Sequence, residues 1–192
     1  KSDWEDFIYL TQLNQGLALK TMIEHWRTNS VTKGCVIWQL NDCWPVSSWS
    51  IIDSDLKPKL AYYFVQSAFQ NELLYFVKYT DRIALKLFGS KLECEPRTIK
   101  IYLWDYKRGK SSNTIIDCRN INYLDEDIIS FDNIIIKNKI IVYSMFDNKD
   151  KLLFRTAYVN DEWKYISLPS SKLKTKIIRQ ENRQFVELSS PV

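Results

Sequence analysis

One histidine, four glycines, five prolines and four scattered cysteines are all that this 192-residue chain offers toward a metal site, a flexible linker or a disulfide framework. Cys35, Cys43, Cys94 and Cys118 form no C-x-x-C pair, and His25 is their one potential partner, so metal binding has no support and no cofactor is expected. Cys35, inside an apolar run, reads as a small buried hydrophobe. Cys94 and Cys118 could meet across a sheet, and the sequence leaves their pairing open. The scarcity of glycine and proline argues against disorder and low complexity. No stretch approaches the roughly 20 apolar residues of a membrane-crossing helix, so no membrane is expected as a partner. Charge of one sign is also never concentrated. The net charge of +4, from 27 basic and 23 acidic side chains, is spread along the chain, whereas a nucleic-acid surface needs a basic patch. Lys172, Lys174, Lys176 and Arg179 come nearest to one, and their alternation reads as the solvent face of a β-strand.

What is present is apolar bulk: 45% hydrophobic residues and 14% aromatics, ample for a core. From Asp6 to about Asn29, Phe7, Leu10, Leu13, Leu17, Met22, Ile23 and Trp26 fall near helical spacing, with Ser2 or Asp3 as a cap. The polar turn Thr28 to Lys33 leads into Gly34 to Leu40, apolar and β-branched as a strand buried on both faces would be. Leu60 to Phe69 predicts a second helix, with Pro58 in its first turn. Helix, parallel strand, loop and helix in that order are what the end of an α/β barrel supplies. Beyond about Asn71 the period changes. Leu73–Lys78, Arg82–Phe88, Thr98–Trp104, Ile128–Ile136, Lys139–Phe146, Leu152–Val159 and Phe185–Ser189 read as short strands, separated by turns at Thr80-Asp81, Lys107-Arg108-Gly109, Lys137-Asn138 and Asn148-Lys149-Asp150. Strands at this spacing predict an antiparallel β-sandwich of immunoglobulin type. The expected fold class is therefore α/β plus all-β, with residues 1–71 and 72–192 as the two parts.

The densest chemistry follows the first predicted strand. Trp38, Trp44 and Trp49 crowd its end beside Asn41 and Asp42. Flat aromatics next to short amide and carboxylate groups suit a sugar, whose C–H faces stack on rings while its hydroxyls need paired partners. The same pattern would also serve as a tryptophan-rich core corner. Asn41 and Asp42 could orient sugar hydroxyls or hold the loop through Asx turns; Trp44 could shape a pocket rim. Trp49 reads as a core plug under the loop and Asp53 as a turn residue. Asp125-Glu126-Asp127 reads as a solvated turn. Ser47, Ser48 and Ser50 lack a base and a G-x-S-x-G elbow. Glu24 and His25 are adjacent on one helix and diverge.

The stretch from Gly34 to Tyr63, with W-Q-L-N-D-C-W-P-V at its centre, resembles the eighth barrel strand and following loop of glycoside hydrolase family two, the β-mannosidases in particular. Tyr9-Leu10-Thr11-Gln12-Leu13-Asn14-Gln15 and Ile23-Glu24-His25-Trp26-Arg27 are similar to the helix preceding that strand. Leu56-Lys57-Pro58-Lys59 and Ala61-Tyr62-Tyr63 resemble the turn and final helix after it. The resemblance implies the last units of a (β/α)8 barrel followed by an immunoglobulin-like sandwich, the latter cut near a further strand at Pro191-Val192. It also implies a β-mannoside oligosaccharide substrate for Trp38, Asn41, Asp42 and Trp44, and upstream barrel and N-terminal domains as partners. The Asp42-Cys43-Trp44-Pro45-Val46 variant leans toward the intracellular type, implying a cytoplasmic location.

Such a barrel needs about 250 residues, more than this chain could spare. In the family the acid/base glutamate follows the fourth strand and the nucleophile sits on the seventh, both upstream of the first helix here. Retaining glycosidases hold these carboxyls about 5 to 5.5 Å apart, and no Glu of this chain matches either motif. No catalytic residue is therefore expected in it, and the isolated chain is expected to be inactive. Two other readings stay open. One is a non-enzymatic carbohydrate-binding or interaction module built on the sandwich; the other is a different family-two glycosidase, a β-glucosaminidase or β-galactosidase.

Overall fold

The computed structural model describes residues 3–29, 31–89, 97–117, 127–166, 168, 174–180 and 183–189. Helix α1, Trp4–Thr28, opens at Asp3 in an extended conformation without a side-chain cap; acidic Glu5 and Asp6 lie in its first turn and Arg27 in its last, the favourable polarity for the helix dipole. Helix α2, Leu60–Ala68, packs across it. The crossing is close because of Gly16. A Cβ there would stand 2.5 Å from the Phe64 ring, so hydrogen is the side chain that lets the helices meet. Ile23, Ala61, Val65 and Ala68 close this small core with Ile51, flanked by Leu19, Cys35 and Ile37.

Gly34 to Leu40 departs from expectation. The segment belongs to no strand ladder among the described residues, and its backbone bends at Trp38 and at Leu40. Nor is it buried on both faces: Cys35 and Ile37 pack against the helices, while Val36 is 94% exposed and Leu40 is exposed. A period of two is present, but only one side finds partners within the chain. Cys35 is accordingly half-buried. Pro58 lies ahead of α2, bridged to Ile52, where its missing N–H costs nothing to the helix.

The rest is a two-sheet antiparallel sandwich. Strands β1 (Leu73–Lys78), β2 (Arg82–Phe88) and β5 (Ile129–Asp132) form one sheet in the order β1-β2-β5. Strands β3 (Thr98–Asp105), β4 (Lys110–Asp117), β6 (Lys139–Phe146) and β7 (Leu152–Val159) form the other, in the order β4-β3-β6-β7. Leu74, Ile83, Leu85, Ile99, Ile101, Ile141 and Met145, with Ile136, fill the space between them. The four expected turns are all present, and Asn138, Asp150 and Gly109 take the positive φ that such turns need. Two boundaries need correction. Ile128 to Ile136 is a short strand followed by a helical turn, α3 (Asn133–Ile136), in which Ile136 enters the core. Lys110–Asp117 is a full strand whose polar sequence hid it, since on this edge strand Ile116 alone packs against the core and shows no period of two. A short 3-10 turn, Trp163–Tyr165, follows β7. Strands β8 (Lys174–Gln180) and β9 (Arg183–Ser189) form a separate hairpin, with Lys174, Lys176 and Arg179 exposed on β8 as expected. Cys94, Cys118, Asp125, Glu126 and Lys172 lie outside the described residues.

Candidate functional site

The segment after Leu40 folds into a loop whose two ends are tied together. Ile52 N–H donates to the Leu40 carbonyl at 2.9 Å and Asp42 N–H to the Ile52 carbonyl at 3.1 Å; Lys59 N–H reaches the Ile51 carbonyl at 2.9 Å. Inside this closure sits the Asp42 carboxylate, its side chain 2% exposed. It accepts from Ser48 Oγ at 2.5 Å, Ser50 Oγ at 2.5 Å and Lys59 Nζ at 2.9 Å, and Lys59 Nζ is also 2.7 Å from Ser50 Oγ. A buried carboxylate is costly unless it is paired and hydrogen-bonded, and here both oxygens are engaged. The hydroxyls of Ser48 and Ser50, then Lys59, hold Asp42 down to a pKa of about 2. Of the two roles open to Asp42 in the sequence, holding the loop is the one its contacts fill.

Helix α1 adds two more ties. Gln15 Nε2 donates to the Trp49 carbonyl at 2.7 Å, and Gln12 Oε1 accepts from Leu60 N–H, an otherwise orphaned donor at the start of α2, at 3.1 Å. The loop is thus pinned from beneath by α1 and from its far end by Lys59. Asp53 behaves as the turn residue expected, its Oδ1 accepting from the N–H groups of Asp55 and Lys57.

What this frame presents outward is aromatic. Trp38 is 71% and Trp49 73% exposed, and Trp44 is exposed too. Trp49 is therefore no core plug; its backbone is fixed while its indole is displayed. The Trp38–Gln39 peptide is cis. Trp38 and Trp49 share a cleft of ≈ 740 Å³ with Trp4, Phe7, Ser48 and Lys59, whereas Asn41 and Trp44 are outside its described lining. Asn41 is exposed, and its amide donates to the Asp42 carbonyl at 3.3 Å. Among the described residues no group of His, Cys, Asp and Glu could hold a metal ion, and no described helix is long and apolar enough to cross a membrane.

Sequence reasoning overlooked Gln12, Gln15, Ser48, Ser50 and Lys59 as parts of this frame. The serines were weighed only as nucleophiles. Their spacing from Asp42, six and eight residues along a loop that returns on itself, was the available signal, as was a lysine just ahead of α2 with no acidic neighbour on its own helix.

No protein-family model matches the chain. It is 31% identical over 130 residues to beta-mannosidase B of Thermothelomyces thermophilus, covering 56% of this chain and 15% of that protein. To beta-mannosidase B of Aspergillus niger it is 44% identical over 68 residues, 33% of this chain and 8% of that protein. Among solved structures, the β-D-mannosidase of Dictyoglomus thermophilum superposes with a TM-score of 0.75 at 30% identity, over 99% of this chain and 24% of that one. The exo-chitosanase of Amycolatopsis orientalis follows with a TM-score of 0.64 at 15% identity, over 93% of this chain and 25% of that one; that likeness concerns the fold alone. The chain spans about a quarter or less of the length of these proteins.

Proposed function

We propose, on the premise that this chain is homologous to the β-mannosidases of glycoside hydrolase family two, that it forms the C-terminal portion of a retaining exo-β-mannosidase. Residues 1–71 would complete the catalytic barrel with its eighth strand, loop and last helix, and residues 72–192 would be the sandwich that follows. The observation that carries this reading is the display of Trp38: an exposed indole just ahead of a loop locked by the buried Asp42 network. Apolar side chains alternating between two faces, as from Cys35 to Trp38, are what an inner barrel strand requires, and sites in such barrels lie at the strand ends.

In this reading Trp38 is a stacking platform for the terminal mannose, and Asn41 and Trp44 lie on the rim, with no proton passing through any of them. The platform excludes water from a reacting centre of oxocarbenium character, which strengthens the electrostatic help supplied by the rest of the pocket. Asp42 acts through the loop. Both catalytic glutamates come from upstream of Trp4, so the isolated chain turns over no aryl β-mannoside. The reading is tested by assaying the full-length protein against aryl β-mannoside, β-galactoside and β-glucosaminide. The expected result is a kcat/KM highest on the mannoside; a higher value on either other sugar assigns the pocket to that sugar and overturns the mannosidase reading.

A further inference from the structure

Helix α1 turns a polar stripe toward the sandwich. Lys20, Thr21, Glu24, His25 and Thr28 recur at the spacing of one broad helix face, and all of them line a cleft of ≈ 840 Å³ between the helices and strands β1, β6 and β7, Glu24 and His25 included although adjacent side chains on a helix are expected to diverge. A helix covering a sheet ordinarily buries an apolar stripe. The opposite wall supplies aromatics: Phe76 on β1, Tyr158 on β7 and Trp163 beyond it. Phe76 is held in place, its ring 4.8 Å from Tyr158 and 5.1 Å from Tyr143.

Lys20 and Glu24 form an ion pair within the cleft, their side chains only 12% and 18% exposed. The ammonium also lies 5.9 Å from the Phe154 ring. The pair carries no net charge but offers spare N–H donors and a second carboxylate oxygen. An anion in this cleft would meet Glu24, and a cation would meet both Lys20 and Lys78. A wholly apolar ligand would desolvate the ion pair without supplying hydrogen bonds, at a cost. A neutral polyhydroxyl compound satisfies both walls.

We infer that this cleft binds a short neutral saccharide, its C–H faces against Phe76, Tyr158 and Trp163 and its hydroxyls paired with Lys20, Glu24 and His25. The volume falls in the roughly 300–1,000 Å³ range of small-molecule sites, and the position between two structural layers is a common one. The cleft shares no lining residue with the one that holds Trp38, so the site is separate and does not depend on the reading of Trp38 as a platform.

The test uses the full-length protein and S-linked β-1,4-mannobiose, which resists hydrolysis, titrated by calorimetry and by saturation-transfer NMR. Binding is expected at a site whose affinity falls tenfold or more in Glu24→Gln and in Trp163→Ala. Trp163 is half exposed, so its replacement leaves the sandwich core intact; its thermal midpoint and its kcat/KM on aryl β-mannoside are expected to stay within twofold of wild type. Saccharide binding that both variants leave unchanged, or a single site abolished by Trp38→Ala, overturns the inference.

Discussion

The sandwich and the helical unit use similar residues to opposite ends. In the sandwich, Leu74, Leu85, Ile99 and Ile101 vanish between two sheets that cover each other's inner faces. In the helical unit, Trp4, Phe7, Val36, Trp38, Leu40 and Trp49 stand exposed around a much smaller core. The core of the sandwich is therefore satisfied by its own fold. The helical unit, by contrast, leaves its largest aromatics uncovered among the described residues, and the exposed indole of Trp38 is the feature on which the proposed sugar wall rests.

Substitutions can break this contrast. Leu85→Ala in the sandwich is expected to cost about 3 kcal/mol, within the range for buried leucines, seen as a drop in the denaturant midpoint; Val36→Ala, at 94% exposure, should cost next to nothing in the isolated chain. Equal effects would erase the distinction. Gly16→Ala is expected to cost about 1–2 kcal/mol despite alanine's better helix propensity, because the Cβ collides with the Phe64 ring; a gain in stability would show that α2 can shift freely. Asp42 sharpens the comparison through pH. Its carboxyl is held at about 2, by Ser48 and Ser50 before Lys59. The stability it contributes is thus complete above the usual carboxylate pKa of about 4 and is lost as pH falls toward 2. Unfolding midpoints measured from pH 5 to pH 2 are expected to fall more steeply for wild type than for Asp42→Asn, and parallel slopes would remove the network from the account. The smallest effect belongs to Ile115→Ser on exposed strand β4, within about 0.5 kcal/mol of wild type.

Much of this architecture is legible in the residues. Strands with a buried face announce themselves: Leu73–Lys78, Arg82–Phe88, Lys139–Phe146 and Leu152–Val159 end where their apolar runs end. Lys110–Asp117 does not, because pairing with β3 holds it while only Ile116 packs against the core. Gly34–Leu40 fails in the other direction. Its pattern is that of an inner strand, but a ladder needs neighbours, and the described residues offer none before the bridge at Asn41. At the site, the aromatic cluster is visible as composition, while the Asp42 frame is not. It joins Gln12, Gln15, Ser48, Ser50 and Lys59 across nearly fifty positions, and only the return of the loop on itself brings them together.

The proposed mannoside pocket, completed by the upstream chain, has the displayed Trp38 as one of its walls. Its most direct test is kcat/KM on an aryl β-mannoside for full-length Trp38→Ala, with the thermal midpoint measured alongside. A loss of about 2 kcal/mol in transition-state stabilisation, roughly thirtyfold, is expected, with little change in the midpoint. Unchanged kinetics, or a loss matched by unfolding, would contradict it and return Trp38 to a packing role.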